Sequence, residues 1–504
     1  MDYFTFIWSV SSYVEKRVKD EICYAELEKT VGFSYRHIRE VFRECTNRTL
    51  ASYILSRRIA NAAFEVAYTH KSLTAIAGEY GFDSYDVFTR AFKRETGYTP
   101  KAFRVNAIPV GRSMLNTGMY APTVSKEKRP FLMLGLNNEE QAMKSTEKTE
   151  NSCILYGVPK VEYSFEECTP FPACLKACLN YMGQMIDYSY VMAASGASFR
   201  LRWNKGMWDD GNVDIQCIYE NPLEAFERSF KAAGRSVRFL RRGESSKEGF
   251  RAFIKEEIDN GRPVIAQGII GPPEACIITG YADSGETLLG WNFFQSNPDF
   301  AKGVTLHETG YYMTKNWWEN KDTLMLMAIG EEQAAPPSVK EILLNAVDIM
   351  TRESITIKNR YGSTEQIYAG GSAAYEAWAA AITNDAEFSK DAVLPLLFGR
   401  LVCQSDAQVM VGEGRSYAAA FIGWVGQTNP SVVKPCEEAD KLFKEAAQAT
   451  FKMNELKGGF EQNEGTVRLF AQPAVRREIA KLILKAKCCD EKASALLKEI
   501  CEKL

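Results

Sequence analysis

Two stretches of this chain repeat one pattern, and that repeat restricts the possible folds of the N-terminal part more than any other feature. Residues 27–45, LEKTVGFSYRHIREVFREC, and 76–94, IAGEYGFDSYDVFTRAFKR, each run a short helical segment into a Gly-Phe turn, a Ser and a second amphipathic segment. The turns are Gly32-Phe33 and Gly81-Phe82. Glycine stops a helix by entering the left-handed region, and a following serine caps the next helix with its side-chain oxygen. In the first copy Ile38, Val41, Phe42 and Cys45 fall on one helical stripe, with Arg36, Arg39, Glu40 and Arg43 opposite. In the second, Phe88, Ala91 and Phe92 turn inward, leaving Tyr85, Asp86, Thr89, Arg90 and Lys93 outside. One copy alone reads equally as a helical hairpin with a solvated basic face. Two copies favour a pair of helix-turn-helix units whose outer faces carry groups that bond base edges and phosphates.

The second copy ends AFKRETGYTPKAFR and is preceded by SLTAIAGEYGF, and both segments closely resemble the AraC-type DNA-binding domain over residues 20–104. The resemblance implies a seven-helix module on double-stranded DNA, with two recognition helices joined by a central helix, TLASYILSRRIANAAFEVAY. Carried over by position, base contacts fall on Arg36, Arg39 and Glu40 in the first helix and on Tyr85, Asp86 and Arg90 in the second. Lys93, with Arg57, Arg58 and Arg94, is assigned to phosphate contact or fold stabilisation. Glu40 and Asp86 are open to two readings, acceptance from cytosine amines or pairing with a neighbouring Arg. In many relatives the DNA-binding module ends the chain, so its position here places the regulating part downstream.

Bulk properties set the frame for the rest. The 504 residues allow two to four domains, and 46% apolar with 25% charged residues fit globular cores. No long apolar run and no basic N-terminal leader occur, so no membrane span or signal peptide is expected. Thirteen scattered cysteines, two of them adjacent at 488 and 489, read as free thiols in a reducing, cytoplasmic setting. The net charge of −3 is uninformative about nucleic acid, because a basic module is diluted by the rest of the chain.

Residues 107–150 lose periodicity and read as a linker that contributes a strand through PFLMLGL. A domain over 151–333 follows. Its segment GPPEACIITGYADSGETLLGWNFFQ, 271–295, reads as a buried hairpin turning at Asp283-Ser284-Gly285. It resembles papain-like cysteine enzymes of the bacteriocin-processing and butirosin-acyltransferase kind, where a His opens the first strand and an Asp or Asn belongs to the second. Here those positions hold Glu274 and Asn292. TPFPACLKACLNYMG, 169–183, resembles the helix that carries the nucleophile in that family, yet the nucleophile position falls on Pro170, two residues beyond Cys168. Cys174 and Cys178 read as core thiols, and no metal site or other cofactor is expected.

Histidine decides the chemistry. Of three in the chain, His37 and His70 lie in the DNA-binding region, leaving His307 alone in this domain. A carboxylate with pKa of about 4.3 is a poor base for a thiol of about 8.5, a gap worth roughly 6 kcal/mol. The expectation is therefore no enzyme: a papain-like frame that binds rather than cuts, with rescue by His307 left open. Phe199, Trp203 and Trp208 lie in an aperiodic stretch, and the reading is divided between core packing and a ligand pocket shared with Glu274, Trp291 and Asn292. Glu274 is read as facing either a cationic, apolar-bodied ligand or an internal partner such as Arg200 or Arg202. Residues 337–504 read as nearly all amphipathic helix, serving cleft closure or homodimerisation.

The expected fold is thus multidomain, with an all-α double helix-turn-helix head over 1–106, an α+β papain-like middle domain and an α-helical C-terminal region. The expected function is a transcription regulator that meets RNA polymerase and responds to a small-molecule effector. The alternative is a DNA-tethered papain-type acyltransferase or cysteine peptidase.

Overall fold

A computed structural model describes the chain except residues 1–5, 7–9, 11–12, 15–16, 47–48, 69–70, 97–98, 106–143, 164–166, 209–212, 214, 298–299, 333–334, 359–364, 390–391, 393 and 460–463. His70 and the PFLMLGL stretch lie outside the described residues, as does the side chain of Cys45. Contacts sort the chain into two units, residues 1–138 with 198–213 and 343–504, and residues 139–197 with 214–342.

The N-terminal module contains six described helices: α1 (Tyr24–Val31), α2 (Tyr35–Thr46), α3 (Leu50–Tyr68), α4 (Leu73–Glu79), α5 (Tyr85–Thr96) and α6 (Pro100–Val105). Gly32 and Gly81 take φ of 79° and 72°, the left-handed conformation that lets each short helix turn into the next. Ser34 and Ser84 accept from the amides of His37 (3.4 Å) and Val87 (3.2 Å), so both copies start their second helix in the same way. Ile38 and Phe42 are fully buried in the first copy, Phe88 and Phe92 in the second. A polar hub ties the middle together. Glu65 of α3, 8% exposed, accepts from Lys19 (2.5 Å) and Tyr80 (3.1 Å) and pairs with Lys71 (2.6 Å).

The second unit is built on an antiparallel sheet. Its strands are β1 (Ser145–Lys148) and β2 (Cys153–Tyr156), then β4 (Arg235–Arg241), β5 (Val264–Gln267), β6 (Ala275–Ala282), β7 (Thr287–Trp291), β8 (Thr305–Leu306), β9 (Tyr312–Thr314) and β10 (Met325–Glu332), while β3 (Arg202–Asn204) belongs to the first unit. The order is β4-β10-β5-β6-β7-β9-β8, with the β1-β2 hairpin joined at β6. Helices α7 (Pro170–Tyr181) and α10 (Lys247–Asp259) pack against β6, and α8 (Tyr188–Ala194) and α9 (Glu224–Ala232) complete the unit. The uninterrupted apolar run Cys276-Ile277-Ile278 is buried throughout, as a strand covered on both faces requires. The β6–β7 hairpin turns through Asp283, Ser284 and Gly285, all at positive φ. Strand β1 falls inside the stretch expected to be linker. Its residues Ser145–Lys148 are all exposed and polar, so only pairing with β2 marks them as a strand.

The C-terminal part of the first unit holds α11 (Val339–Thr351), β11 (Ser354–Lys358), β12 (Glu365–Gly370), α12 (Gly371–Thr383), α13 (Leu394–Thr428), α14 (Val433–Leu456), α15 (Glu464–Phe470) and α16 (Pro473–Lys503). Helix α14 packs along both α13 and α16. The helical reading of this region describes its long helices, and a small sheet is added to them: β11, β12 and β3 form a three-stranded antiparallel sheet. Ser354–Lys358 alternates Ile355 and Ile357 inward with polar residues between, the period of a strand.

Burial raises the Glu65 carboxyl, but the hydrogen bonds from Lys19 and Lys71 outweigh it and hold the group below its ordinary value. A carboxylate lowered in the folded state stabilises fully above its unfolded pKa of about 4.3 and loses that contribution as pH falls through the folded value. Glu65→Gln is expected to weaken the module by about 1–3 kcal/mol at neutral pH and to flatten its acid sensitivity. Proteolytic protection of residues 24–105 followed from pH 7 to 3 checks this. Equal acid sensitivity in the variant and the parent would remove the hub from the account.

Candidate nucleic-acid interface

Helices α2 and α5 carry the residues assigned from the sequence to base contact, Arg36, Arg39, Glu40, Tyr85, Asp86 and Arg90, together with Lys93. Arg36, with its side chain 89% exposed, sits one residue into α2 and pairs with Glu40 at 3.0 Å. That i, i+4 pair supports the helix by a few tenths of a kcal/mol, about 0.2–0.5, and leaves the guanidinium free to exchange partners. Of the two readings of Glu40, pairing with a neighbouring Arg describes the unbound module. Arg39 is exposed, with its guanidinium carbon 5.7 Å from the Tyr35 ring centre. On α5, Tyr85 is half-buried against Phe88, while Asp86, Arg90 and Lys93 are exposed. Asp86 lies in the first turn, where the helix dipole favours a carboxylate.

The remaining basic residues divide by burial. Arg57 is 5% exposed, and Arg58 donates to the Asp20 carbonyl at 2.8 Å. A Cβ at Gly81 would stand 2.9 Å from Arg58 Nη1, so this arginine is packed beneath the second turn. Arg94 pairs with Glu95 at 3.3 Å. These contacts fit fold stabilisation for Arg57 and Arg58. The protruding set on the two recognition helices is dominated by Arg36, Arg39, Arg90 and Lys93, the donor-rich composition that guanine edges and phosphates call for.

The residues expected to share a ligand pocket are divided between the two units. Glu274, Trp291 and Asn292 belong to the sheet unit, whereas Phe199, Trp203 and Trp208 belong with the C-terminal helices. Phe199 and Trp203 are 1% and 4% exposed. Trp203 stacks on Trp378 at 6.0 Å between ring centres and meets Trp208 edge-on at 5.5 Å. Core packing, the blander of the two readings, describes Phe199 and Trp203. Nothing within the aperiodic 195–214 stretch marks Trp378, because the partner lies far along the chain.

In the sheet unit, Glu274 accepts from the Tyr163 hydroxyl, so its carboxylate has an internal partner that sequence reading did not anticipate. Arg200 and Arg202, the partners considered for it, are buried in the first unit. Asn292 is held at both ends of its amide, donating to Gly268 O at 3.0 Å and accepting from the Phe294 amide at 2.8 Å. Trp291 donates to Val158 O at 3.0 Å. Five residues before Glu274, Ile269 takes φ of 66°, a costly conformation for a β-branched residue. It is held by a hydrogen bond from its amide to Thr323 Oγ1 at 3.2 Å. Burial raises the Cys174 and Cys178 thiols and pushes Cys276 up to about 12, which suits inert core groups. Cys168 is half-exposed immediately ahead of Thr169, the cap residue of α7. His307 lies at the β8–β9 turn, with Nδ1 2.9 Å from Thr309 Oγ1. Among the described residues no cluster of three metal-ligating side chains occurs, and no helix is long and apolar enough to cross a membrane.

The family described as a helix-turn-helix domain matches residues 27–106. Over 104 residues, 21% of the chain, the sequence is 34% identical to the transposon Tn10 TetD protein of Escherichia coli, covering 75% of that protein. It is 29% identical over 104 residues to the right origin-binding protein of Escherichia coli (strain K12), and 32% identical over 104 residues to the uncharacterized HTH-type transcriptional regulator YbfP of Bacillus subtilis (strain 168). The chain spans 36% and 35% of those two proteins, about a third of their length. Among solved structures, a transcriptional regulator with an AraC-type DNA-binding domain from Chromobacterium violaceum matches 21% of this chain and 93% of its own at 21% identity, with a TM-score of 0.20. The DNA-binding domain of AdpA in complex with a target DNA matches 20% of this chain and 90% of its own at 21% identity, with a TM-score of 0.19.

On a site selected from random duplexes by the full chain, Arg36→Ala and Arg90→Ala are each expected to cost about 1–3 kcal/mol and to relax preference at one base position. Lys93→Ala is expected to weaken all sequences alike and to flatten the salt slope. Titrations against point-altered duplexes at several salt concentrations distinguish the two patterns. Uniform, sequence-independent losses from all three variants would reassign the arginines to the phosphates.

Proposed function

Because this chain belongs, through residues 27–106, to the AraC-type helix-turn-helix family of DNA-binding transcription regulators, we propose that it is an effector-controlled regulator. In this reading the N-terminal module reads double-stranded DNA. Residues 151–504 take up a small molecule and alter how the module sits on its operator or meets RNA polymerase. One observation carries the proposal: α2 and α5, two equivalently capped helices, each present exposed cations on the outer face, Arg36, Arg39 and Arg43 on one and Arg90 and Lys93 on the other, with Arg43 and Lys93 at the same position of the repeat. Two such helices on one chain suit successive major-groove segments, with phosphate contacts setting the register.

For the middle domain we propose a papain-like frame used for binding and without catalysis. Three features support that reading. The position where the family carries a His holds Glu274, which is engaged by Tyr163. Asn292 is committed to the Gly268–Phe294 backbone. The buried thiols of α7 and β6 resist ionisation. The expectation of a cationic ligand rested on a carboxylate at 274 that no Lys or Arg reaches, and the Tyr163 hydroxyl gives that carboxylate a neutral donor. A second reading, a DNA-tethered papain-type acyltransferase or cysteine peptidase, draws on the half-exposed Cys168 ahead of α7.

A reporter driven by the selected operator separates the readings. Cys168→Ala is expected to leave operator binding and reporter response unchanged, and the full chain is expected to give no turnover of ester or peptide substrates. Steady hydrolysis or acyl transfer abolished by Cys168→Ala would establish the enzymatic reading instead.

A further inference from the structure

The C-terminal helices bury three arginines, and one of them is treated differently from the others. Arg415, 1% exposed, donates from all three guanidinium nitrogens, to Asp490 and to the carbonyls of Ser198 and Arg200. Arg476, also 1% exposed, donates from all three as well, to Ala471 O, Ile382 O and Asp385 Oδ1. Arg400, 7% exposed on α13, donates from Nη2 alone, to Glu387 Oε2 at 2.5 Å. Its Nε and Nη1 are sealed from solvent and have no hydrogen-bond partner among the described residues.

The surroundings are aromatic. The Arg400 guanidinium carbon lies 5.7 Å from the Trp208 ring centre and 5.5 Å from that of Phe388. Ring faces attract the cation, but they do not replace acceptors for N–H groups that lie in the guanidinium plane. The carboxylates of the cluster are already engaged. Glu387 Oε2 also accepts from Trp208 Nε1 at 3.2 Å, and Asp385 accepts from Arg476 and Arg477. The unused capacity here is therefore for donation, from a cation, against apolar walls. Unmatched buried donors are rare in folded proteins, and a charged donor bonds most strongly to an anionic oxygen.

We propose that Arg400, Trp208 and Phe388 form the receptor for a small carboxylate with an apolar or aromatic body, its oxygens taking the unused Arg400 donors. The proposal names the ligand class of the effector in the function proposed above and rests on that reading only for the regulatory role. Binding itself requires no DNA. Trp208, the half-buried member of the cluster, must shift for a ligand to reach Nε and Nη1, so its fluorescence reports the event.

The test uses the full chain with benzoate, 1-naphthoate and indole-3-acetate, each beside its neutral amide, and with acetate as the acid lacking an apolar body. Thermal stability and tryptophan quenching are read together. The acids are expected to raise Tm and quench, with the amides and acetate about tenfold weaker or more. Arg400→Gln is expected to abolish the response and Arg477→Gln to preserve it. If Arg400→Gln does not fold, Arg400→Met, which keeps length without donors, takes its place. Trp208→Phe is expected to keep the Tm rise while losing most of the quench. Equal responses to acids and amides, a response undiminished in the Arg400 variants, or no response to any of the three acids at millimolar concentration would overturn the site. Operator binding is measured separately by mobility shift, and its absence with carboxylate binding intact would count against the regulator reading rather than against the receptor.

Discussion

The arrangement of the C-terminal helices depends on the guanidinium of Arg415. It joins α13 to Asp490 of α16, stands beside the Tyr375 hydroxyl of α12, and takes the backbone carbonyls of Ser198 and Arg200. Removing one side of a buried ion pair leaves an uncompensated charge, so such a node holds its partners firmly once the chain has folded around it. The consequence is topological. Residues 198–213 leave the sheet unit and join the helices, carrying Trp203 and Trp208 with them and supplying β3 to the small sheet. Arg415 holds the start of the segment whose Trp208 packs beside Arg400.

The N-terminal module is organised by a different balance. Its inner surface is settled by apolar stripes and by the Glu65 hub, in which one nearly buried carboxylate satisfies Lys19 and Lys71 together. Its outer surface keeps long cations in water, where isolated pairs such as Arg36–Glu40 are worth little and break cheaply. That contrast suits a module with a fixed frame and an exchangeable set of contacts. The carboxylate that holds the fold is buried and paired with two lysines, and the cations proposed to meet DNA are exposed on α2 and α5.

These differences explain what was legible in the sequence. The two helix-turn-helix copies rest on signals within a few residues of one another: a glycine at positive φ, a serine cap and a stripe such as Ile38, Val41 and Phe42. The β6–β7 hairpin and α7 were legible for the same reason, since turn residues and a Pro-led helix start are local. Strand β11 carried a legible alternation in Ile355 and Ile357, which the surrounding helical pattern masked. The partner of Glu274 was not legible, because Tyr163 lies 111 residues away and nothing local marks it. The allocation of Trp203 depended on Trp378 and on Arg415, neither of them near it in sequence.

The same helices also show why an incompletely bonded guanidinium is informative at Arg400. A folded domain satisfies buried polar groups wherever its own backbone and side chains can reach. Arg415 and Arg476 show that reach in this unit, since a carboxylate or a backbone carbonyl accepts from every one of their nitrogens. Arg400 has the same chemistry and nearly the same burial, and Arg476 shares the Phe388 ring with it at 4.1 Å, yet among the described residues Nε and Nη1 of Arg400 have no acceptor. A Leu or Met at position 400 would fill such a space without the desolvation of a charge, which commonly makes the apolar choice neutral or favourable for stability. Stability alone therefore gives no reason for an arginine there. A charge kept among rings, with donors facing inward, has its physical rationale in an acceptor that comes and goes.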